Sequence, residues 1–368
     1  MSAVKVAFDT GPLHGPRTGI GHAVEALHEA LAARDDVELV DYLLSLRARP
    51  RQGVVRLPLP ACLAHRSWRR WPHPRVDRWL TDSQVVHGTN YVVPPSRLPR
   101  LVSVYDCWFL RNPDRASPAV RRAGEVLRAA AGSGAVVHTS STATEQSVRE
   151  LLPGATVHTV HLGPLPLPPP AASPPIPELV GHPFVLSIGT VERRKNLPTL
   201  VKAFSRIASE HSAVRLVLAG GNGDDLAATR AAVDSLGPTV AARVLFTGRI
   251  GESARSWLLH NAAVLAYPSL DEGFGFPLLD AMQAGTPVVA SNAGSIPEVA
   301  GDAALLCDPL DTEALAAALS VTLTDGDVRA RLVAQGEQQW RRFSWTRCAE
   351  EMAGLYRRLA DGTAQGLR

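Results

Sequence analysis

The stretch AVLAYPSLDEGFGFPLLDAMQAG, residues 263–285, contains the pattern on which the fold rests. Residues 263–270 are mostly apolar and predict a buried strand, and the Asp-Glu-Gly-Phe-Gly segment after them predicts a loop. Residues 276–285 predict a helix, with Pro277 in its first turn and Gly285 as its stop. A strand, a loop at its carboxyl end and a helix form the repeating unit of a parallel α/β sheet.

The same alternation of apolar runs and helical patterns continues along the chain. Strands that are apolar throughout and separated by helices are covered on both faces, so each half predicts a doubly wound, Rossmann-like α/β domain. Ligands of such sheets bind beyond the carboxyl ends of the strands. The predicted strands are 4–10, 37–44, 84–90, 101–106, 135–140 and 156–163 in the first half, and 184–189, 214–220, 243–248, 263–269, 287–291 and 303–307 in the second.

A proline-rich run divides the chain near its middle. Eight of the fourteen residues from Pro164 to Pro177 are proline, which excludes a helix or a sheet interior and predicts an extended connector. The 368 residues fit two domains, so we expect two that face each other across a central cleft. The predicted boundaries are 1–163 for the first domain, 164–180 for the linker, 181–345 for the second domain and 346–368 for a C-terminal helix.

Composition argues against a nucleic-acid-binding, a membrane-spanning or an exported protein. Apolar residues make up 45% and charged residues 20%, as in ordinary globular proteins, and a net charge of +3 is too small for a nucleic-acid-binding signature. No apolar run approaches the roughly 20 residues that span a bilayer, and the N-terminus has no signal-peptide core. We therefore expect a cytoplasmic protein. The four cysteines lie far apart, which predicts neither a zinc site nor a disulfide framework.

The loop after the strand at 263–270 has the features of an anion site. Gly273 and Gly275 let the backbone approach a ligand, and the start of a helix favours a phosphate. Glu272 and Asp280 would flank that phosphate-sized gap, which suits a nucleotide sugar. The alternative is a simple turn followed by an ordinary first-turn acid.

A basic cluster leaves the first strand of the second half at the same predicted edge. Arg193, Arg194 and Lys195 precede a helix that starts near Asn196 or Pro198. Arginine and lysine can hold a diphosphate through charge-assisted hydrogen bonds. The alternative is a solvated basic loop.

Taken together, these motifs resemble those of the retaining GT-B glycosyltransferases of family GT4. The resemblance covers nearly all of the second half and pieces of the first. It is carried by GPRTGIGHAVEAL (15–27), IGTVERRKNLPTLVKAF (188–204), the segment from VLAYPSLDEGFGF to AALLCDP (264–309) and RRFSWTRCAEEMAGLYRRL (341–359).

The resemblance implies a role for each matching residue. Glu272 would contact the hydroxyls of the donor sugar, and Asp280, one methylene shorter than the family's glutamate, would contact the ribose. Arg194 and Lys195 would hold the diphosphate. Two glycine loops would bind the donor, formed by Gly19, Ile20 and Gly21 and by Gly273, Phe274 and Gly275.

The sequence departs from the family pattern at one place in its first half. Relatives commonly have His-Asp where this chain has Tyr105 and Asp106, and that histidine approaches the transferred sugar. Tyr105 could donate a hydrogen bond at that place, or it could mark altered sugar choice or reduced turnover.

The expected activity is transfer of a hexose, with mannose as first guess, from a nucleoside-diphosphate sugar to a hydroxyl of a glycan, a lipid-linked or a natural-product acceptor. The first domain would bind the acceptor, and the C-terminal helix would return to it. Neither a cofactor nor a metal is expected. The one Asp-x-Asp, Asp325-Gly-Asp327, is interpreted as a junction of two helices with Asp327 as the cap. The alternative function is a catalytically weakened nucleotide-sugar or glycan binding protein, suggested by Tyr105 and Asp280.

Residues 47–79 combine many arginines with Trp68, Trp71 and Trp79. They could rest on an anionic membrane at its inner face, or form an irregular connection packed by its tryptophans onto the first domain. Prolines at 50, 58, 60, 72 and 74 prevent one long amphipathic helix and favour the packed connection.

Overall fold

Two separate units carry the fold. The structure is a computed structural model and describes residues 3–14, 18–47 and 52–363. Unit 1 comprises Met1–Gly163 and Phe343–Arg368, and unit 2 comprises Pro164–Arg342. Each unit contains its own parallel sheet and its own apolar core.

The sheet of unit 1 has seven parallel strands in the order β3-β2-β1-β4-β5-β6-β7. The order reverses between β1 and β4, which defines a doubly wound sheet as predicted. β3 is a short edge strand that the sequence did not predict. The strands are β1 (Val4–Asp9), β2 (Val37–Leu44), β3 (Val55–Leu57), β4 (Val85–Gly88), β5 (Arg100–Val104), β6 (Val136–Thr139) and β7 (Val157–Thr159).

Helices cover both faces of this sheet. The first helix begins at Gly19, because the Thr18 hydroxyl accepts a hydrogen bond from the Gly21 N–H and caps it. The helices are α1 (Gly19–Ala32), α2 (Ala61–Trp68), α3 (Trp108–Arg111), α4 (Pro118–Gly132) and α5 (Thr142–Leu151), with 3₁₀ turns at Gly11–Leu13, Asp77–Trp79 and Pro113–Arg115.

The sheet of unit 2 has six parallel strands in the order β10-β9-β8-β11-β12-β13, with its reversal between β8 and β11. The strands are β8 (Phe184–Ile188), β9 (Arg215–Ala219), β10 (Val244–Gly248), β11 (Val264–Tyr267), β12 (Val288–Ser291) and β13 (Ala304–Cys307). The helices are α6 (Leu197–Ile207), α7 (Leu226–Asp234), α8 (Pro238–Ala241), α9 (Glu252–Asn261), α10 (Phe276–Gln283), α11 (Ile296–Ala300), α12 (Thr312–Thr324) and α13 (Gly326–Trp340), with 3₁₀ turns at Pro177–Leu179 and Arg193–Lys195.

The last helix, α14 (Trp345–Ala360), belongs to unit 1 and packs against α1, β1 and β4. Its apolar stripe of Met352, Leu355, Tyr356 and Leu359 is buried. The helix is thus held by the same core as the first sheet.

A buried chain of hydrogen bonds links α14 to three strands of unit 1. The Tyr356 hydroxyl lies 2.8 Å from His87 Nδ1, and His87 Nε2 lies 2.8 Å from the Ser103 hydroxyl. The Ser103 hydroxyl lies 2.8 Å from His138 Nδ1, and His138 Nε2 lies 3.2 Å from the Val160 carbonyl. All four side chains are fully buried.

The hydrogen bond to the Val160 carbonyl determines which atom is the donor and which the acceptor at every step of this chain of hydrogen bonds. A carbonyl can only accept, so His138 carries its proton on Nε2 and accepts the Ser103 O–H at Nδ1. Ser103 then accepts from His87 Nε2–H, and His87 Nδ1 accepts from the Tyr356 hydroxyl. Burial lowers the pKa of His138 to about 4 and that of His87 well below its usual value, so both rings are neutral.

The proline-rich segment lies along unit 2. The carbonyl of Leu165 accepts a hydrogen bond from the Gln283 amide at 3.0 Å, and the carbonyl of Pro168 accepts one from the Ser256 hydroxyl at 2.6 Å. Two of its carbonyls are thereby paired with side chains of α9 and α10.

The described residues of the segment 47–79 form β3, α2 and a 3₁₀ turn, and part of them packs onto unit 1. Trp68 is only 3% exposed and lies in the core of unit 1, and Trp79 is half-buried beneath the Arg78 guanidinium. Trp71, in contrast, is 62% exposed. Residues 48–51, with Arg49 and Arg51, lie outside the described part of the chain. Among the described helices, none is long and apolar enough to cross a membrane.

Candidate active site

The predicted basic loop and the predicted acidic loop meet at the reversal point of the second sheet. The loop after β8 contains the 3₁₀ turn Arg193–Lys195, and the loop after β11 contains Asp271 to Gly275. β8 and β11 are hydrogen-bonded neighbours, so their carboxyl ends present both loops at one edge. This is where doubly wound sheets bind ligands.

Asn196 joins the two loops. It adopts a left-handed conformation with φ of 55°, and its side-chain amide donates to the carbonyls of Pro268 at 3.1 Å and Pro309 at 2.7 Å. The Leu270 N–H donates to the Arg194 carbonyl at 2.7 Å. The basic turn is therefore fixed against the acidic loop by backbone geometry as well as by charge.

Glu272 binds both basic side chains. Its Oε1 accepts from Lys195 Nζ at 2.6 Å, and its Oε2 accepts from Arg194 Nη1, which also donates to the Asp271 carbonyl at 3.2 Å. Lys195 Nζ additionally lies 2.8 Å from the Tyr267 hydroxyl. The side chains of Arg194, Lys195 and Glu272 are 17%, 11% and 6% exposed, so solvent reaches the cations more than the carboxylate. We call these three residues the ionic cluster.

The ionic cluster is charged and carries an excess of positive charge. Burial alone would raise the pKa of Glu272, but the neighbouring Lys195 and Arg194 outweigh it and lower that pKa to about 2. Burial lowers the pKa of Lys195, while Glu272 opposes that shift. The two cations and one carboxylate of the ionic cluster sum to +1. Glu192 also lies 3.7 Å from Arg194 Nη2, but it is 43% exposed and solvent screens it, so the cluster itself still suits an incoming anion.

The backbone of Glu272 is supported by Gly294 and Ser295. Its carbonyl accepts from the Ser295 N–H at 3.0 Å, and Gly294 lies so close that a Cβ there would stand 2.6 Å from the Glu272 nitrogen. Gly294 also has a φ of 56°, which favours glycine. This support fixes the position of the carboxylate.

The glycine loop and its helix follow the sequence prediction. Gly275 has a φ of 99° and precedes α10, with Pro277 in the first turn of that helix. Gly285 has a φ of 71° just after the helix ends. Phe274 is buried against Phe276, so the loop is packed at its centre. Gly273 lies between Glu272 and Phe274, next to the ionic cluster.

Asp280 lies in a second ion pair, not in the ionic cluster. Its Oδ2 accepts from Nη2 of Arg255, a residue of α9, and its side chain is 1% exposed. Burial raises the pKa of Asp280 to about 6, against the opposing effect of Arg255.

Tyr105 and Asp106 lie in unit 1, just after β5. Tyr105 is 6% exposed, and burial raises the pKa of its phenol, against the opposing effect of the neighbouring Ser103 hydroxyl. Asp106 accepts from the Trp108 N–H at 3.1 Å and from the Tyr91 hydroxyl at 3.2 Å. Tyr91 itself has a φ of 58°, a costly conformation for a tyrosine.

Gly19, Ile20 and Gly21 form the first turn of α1. Residues 15–17, which belong to the same motif, lie outside the described part of the chain. Thr18 caps the turn, as noted above.

The Asp-x-Asp interpretation needs one correction. Asp325, not Asp327, caps α13, because its Oδ1 accepts from the N–H groups of Asp327 at 2.9 Å and Val328 at 3.1 Å. In the described part of the chain, no group of three or more His, Cys, Asp or Glu side chains could hold a metal ion.

Sequence reasoning missed Tyr267, Asn196, Gly294 and Arg255. Tyr267 was assigned only to a strand, and Asn196 only to a helix start. A pairing between α9 and α10 has no local sequence signal. Arg255 therefore becomes evident only in the folded chain.

Solved structures define the fold class. Sucrose-phosphate synthase from Thermosynechococcus elongatus matches with a TM-score of 0.73 at 21% identity, over 98% of this chain and 100% of that chain. Anabaena Alr3699/HepE, solved in complex with UDP and glucose, matches with a TM-score of 0.70 at 15% identity, over 96% of this chain and 99% of that one. The two parallel α/β sheets and these neighbours define a GT-B fold.

Sequence comparison identifies the family. The model of the glycosyl transferases group 1 matches residues 173–339. The chain is 30% identical to O-antigen chain mannosyltransferase B of Escherichia coli, over 97% of this chain and 100% of that protein. This protein therefore belongs to the group 1 glycosyltransferases and is a transferase enzyme.

Proposed function

We propose that this enzyme transfers a hexose from a nucleoside-diphosphate sugar to a hydroxyl of a glycan, lipid-linked or natural-product acceptor, with retention and without a metal. The observation that carries the proposal is the ionic cluster at the reversal point of the second sheet. Arg194 and Lys195 are fixed in place by Glu272, carry an excess positive charge and retain partial exposure. This arrangement suits a diphosphate.

The charges of the reaction match this cluster. Breaking the bond between the sugar C1 and the phosphate oxygen leaves positive charge on the sugar and negative charge on the diphosphate. Arg194 and Lys195 would stabilise that negative charge, which is the largest contribution that fixed groups can make. The acceptor oxygen would bond to C1 on the face that the phosphate leaves, and its proton would pass to the leaving phosphate oxygen.

Glu272 would have two tasks. Before the donor binds, it keeps two like charges close together, as the two hydrogen bonds to its carboxylate show. With the donor bound, its oxygens would accept hydrogen bonds from hydroxyls of the sugar. The low pKa keeps the group ionised and therefore an acceptor only.

The relatives support mannose as the sugar. O-antigen chain mannosyltransferase B matches over its whole length, and its name describes mannose transfer and an O-antigen chain. We therefore propose a mannosyl donor and an acceptor that is a growing glycan, bound by unit 1 near Tyr105 and Asp106.

The direct test is a transfer assay with GDP-, UDP-, dTDP- and ADP-sugars, a chelator and α-mannoside acceptors. We expect one donor to yield product despite the chelator, and nuclear magnetic resonance to show the donor's anomeric configuration in that product. Activity that requires a divalent metal would contradict the metal-independent mechanism. An inverted product would contradict retention.

A catalytically weakened binding protein is the second candidate. It is favoured by the buried Tyr105 hydroxyl and by the withdrawal of Asp280 into an ion pair. A chain of this kind would bind a nucleotide sugar but turn it over only slowly. Rapid turnover with any donor and acceptor pair excludes it.

We extend the proposal to peripheral contact with the cytoplasmic face of an anionic membrane through residues 47–79. Trp71 and Leu63 are 62% and 55% exposed, beside the arginines of α2 and its flanks. Aromatic and basic side chains together favour an anionic lipid surface. Changing Arg69 and Arg70 to Glu should release the chain from anionic vesicles; unchanged binding would leave only the packed connection that Trp68 forms.

A further inference from the structure

The group at the position of the second acid is buried and paired. Asp280 is fully buried, and its neighbours Leu279 and Ala281 are buried as well. One of its oxygens is bonded to Arg255, and the other, Oδ1, is buried without a hydrogen-bond partner in the described part of the chain. Solvent therefore does not reach the carboxylate in this conformation, and one of its oxygens is already bonded to Arg255.

Arg255 is the exposed member of the same pair. Its side chain is 17% exposed, compared with 1% for Asp280. A guanidinium has five N–H groups, and two of its nitrogens bond to carboxylates here: Nη2 to Asp280, and Nη1 to Glu252 Oε2 at 3.3 Å. Further N–H groups remain to donate to oxygen atoms of a ligand.

The pair stands at the edge that holds the ionic cluster. α9 begins at Glu252 after the carboxyl end of β10, and α10 begins at Phe276 after the carboxyl end of β11. Arg255 and Asp280 each lie about one turn inside their helices. Because the strands of this sheet are parallel, both helix starts belong to the same edge as Arg194 and Lys195.

We propose that Arg255 is the side chain that contacts the donor ribose in this enzyme, and that Asp280 is a positioning residue that holds Arg255. The inference rests on the proposed function, since it presupposes a nucleotide donor. A guanidinium donates hydrogen bonds to the 2′- and 3′-oxygens, whereas a carboxylate would accept from them. The aspartate, which is shorter than the family's glutamate, thus orients the longer side chain of Arg255, and Arg255 contacts the ribose in its place.

The test is calorimetric titration with GDP and with UDP, then with the 2′-deoxy form of whichever binds. Wild type should bind the ribonucleotide about tenfold more tightly than the deoxy form, the effect of one charge-assisted hydrogen bond. Arg255→Gln should bind both forms equally. Asp280→Asn should retain the discrimination, because its amide oxygen can still accept the hydrogen bond from Arg255 and hold that side chain in place.

Two further variants keep the result interpretable. Arg255→Gln leaves the buried Asp280 carboxylate without its cationic partner. The double variant Arg255→Gln/Asp280→Asn removes both charges, and it too should bind both nucleotide forms equally. Glu252→Gln changes the other partner of Arg255, which is 59% exposed, and should retain the discrimination. Melting temperatures confirm that each variant is folded.

The outcomes separate this inference from the proposed function. If neither GDP nor UDP binds wild type, the proposed function fails and this inference with it. If a nucleotide binds but Asp280→Asn abolishes the discrimination while Arg255→Gln keeps it, Asp280 is the contact and this inference alone is overturned. Equal binding of both forms by wild type overturns it too.

Discussion

Two buried polar networks of this enzyme differ in charge, exposure and position. The ionic cluster of unit 2 has three charged side chains that lie beyond the strand ends and are 6% to 17% exposed. The hydrogen-bonded chain from Tyr356 of α14 to His138 in unit 1 is neutral and fully buried, and its other three side chains belong to strands. Neutral, satisfied bonds hold an interior together at little cost, whereas buried charges are expensive and contribute little net stability. The difference fits the proposed binding role of the ionic cluster and a structural role of the neutral chain.

The position along the strands explains this division. Side chains within a parallel strand are covered on both faces and cannot meet a ligand. Side chains in the loops after β8 and β11 can do so, at the reversal point of the sheet. The same kind of sheet therefore offers one place for structural hydrogen bonds and another for chemistry.

The largest expected effect comes from removing the carboxylate of the ionic cluster. Glu272→Ala should lower the rate of sugar transfer by roughly 100- to 1000-fold, because the two cations lose the group that holds them at the developing charge. The measurement is kcat/KM in the transfer assay. Glu192→Ala is the matched control: Glu192 lies 3.7 Å from Arg194 Nη2 but is 43% exposed, and its loss should have little effect. Equal effects of both changes would contradict the account.

As pH falls, the neutral chain of hydrogen bonds should lose its contribution to stability before the Glu272 carboxylate of the ionic cluster does. The folded-state pKa of His138 is about 4, below its unfolded value of 6.5, so the unfolded chain binds more protons between those two pH values. The free energy of unfolding should therefore fall, by about 3 kcal/mol from this group, as pH is lowered from 7 to 4. His87, which is neutral for the same reason, acts in the same direction.

The control for the pH effect is His138→Gln, which keeps a donor and an acceptor but does not titrate. Urea denaturation should show a smaller loss of stability in acid for this variant than for wild type. Glu272 has a folded-state pKa of about 2, below its unfolded value of 4.5, so its own contribution is lost only as pH falls further, towards 2. Parallel pH profiles of wild type and His138→Gln would show that the chain does not control acid stability.

Removing the centre of the neutral chain should cost about 2 kcal/mol of stability. Ser103→Ala leaves two buried groups without a partner, the Nε2–H of His87 and the Nδ1 of His138. The free energy of unfolding in urea measures this loss. A cost near zero would mean that the histidines find other partners.

The smallest expected effect is that of Tyr356→Phe, about 1 kcal/mol, because only His87 Nδ1 loses its donor and the ring remains packed. The same urea titration measures it. A cost larger than that of Ser103→Ala would show that the link between α14 and the sheet matters more than the chain within the strands.

The sequence was sufficient to predict much of the fold and part of the site. Apolar runs predicted the main strands, Pro277 and Gly285 marked the limits of α10, and the shared edge of parallel strands placed Arg194 and Lys195 near Glu272. These features depend on local patterns and on one general rule of sheet topology.

The remaining features depend on register and packing. His87 and Ser103 meet only because β4 lies beside β5, and Ser103 pairs with His138 only in the register of β5 and β6. Arg255 meets Asp280 because two helices pack together. A single sequence contains no local signal for such contacts.

The central claim is that Arg194 and Lys195 hold a diphosphate. Calorimetric titration of wild type and Lys195→Ala with GDP and UDP tests it most directly, with melting temperatures as the control for folding. We predict that wild type binds one of these nucleotides and that Lys195→Ala binds it at least about tenfold more weakly, the loss of a charge-assisted hydrogen bond. Equal affinities in the two folded proteins would contradict the account.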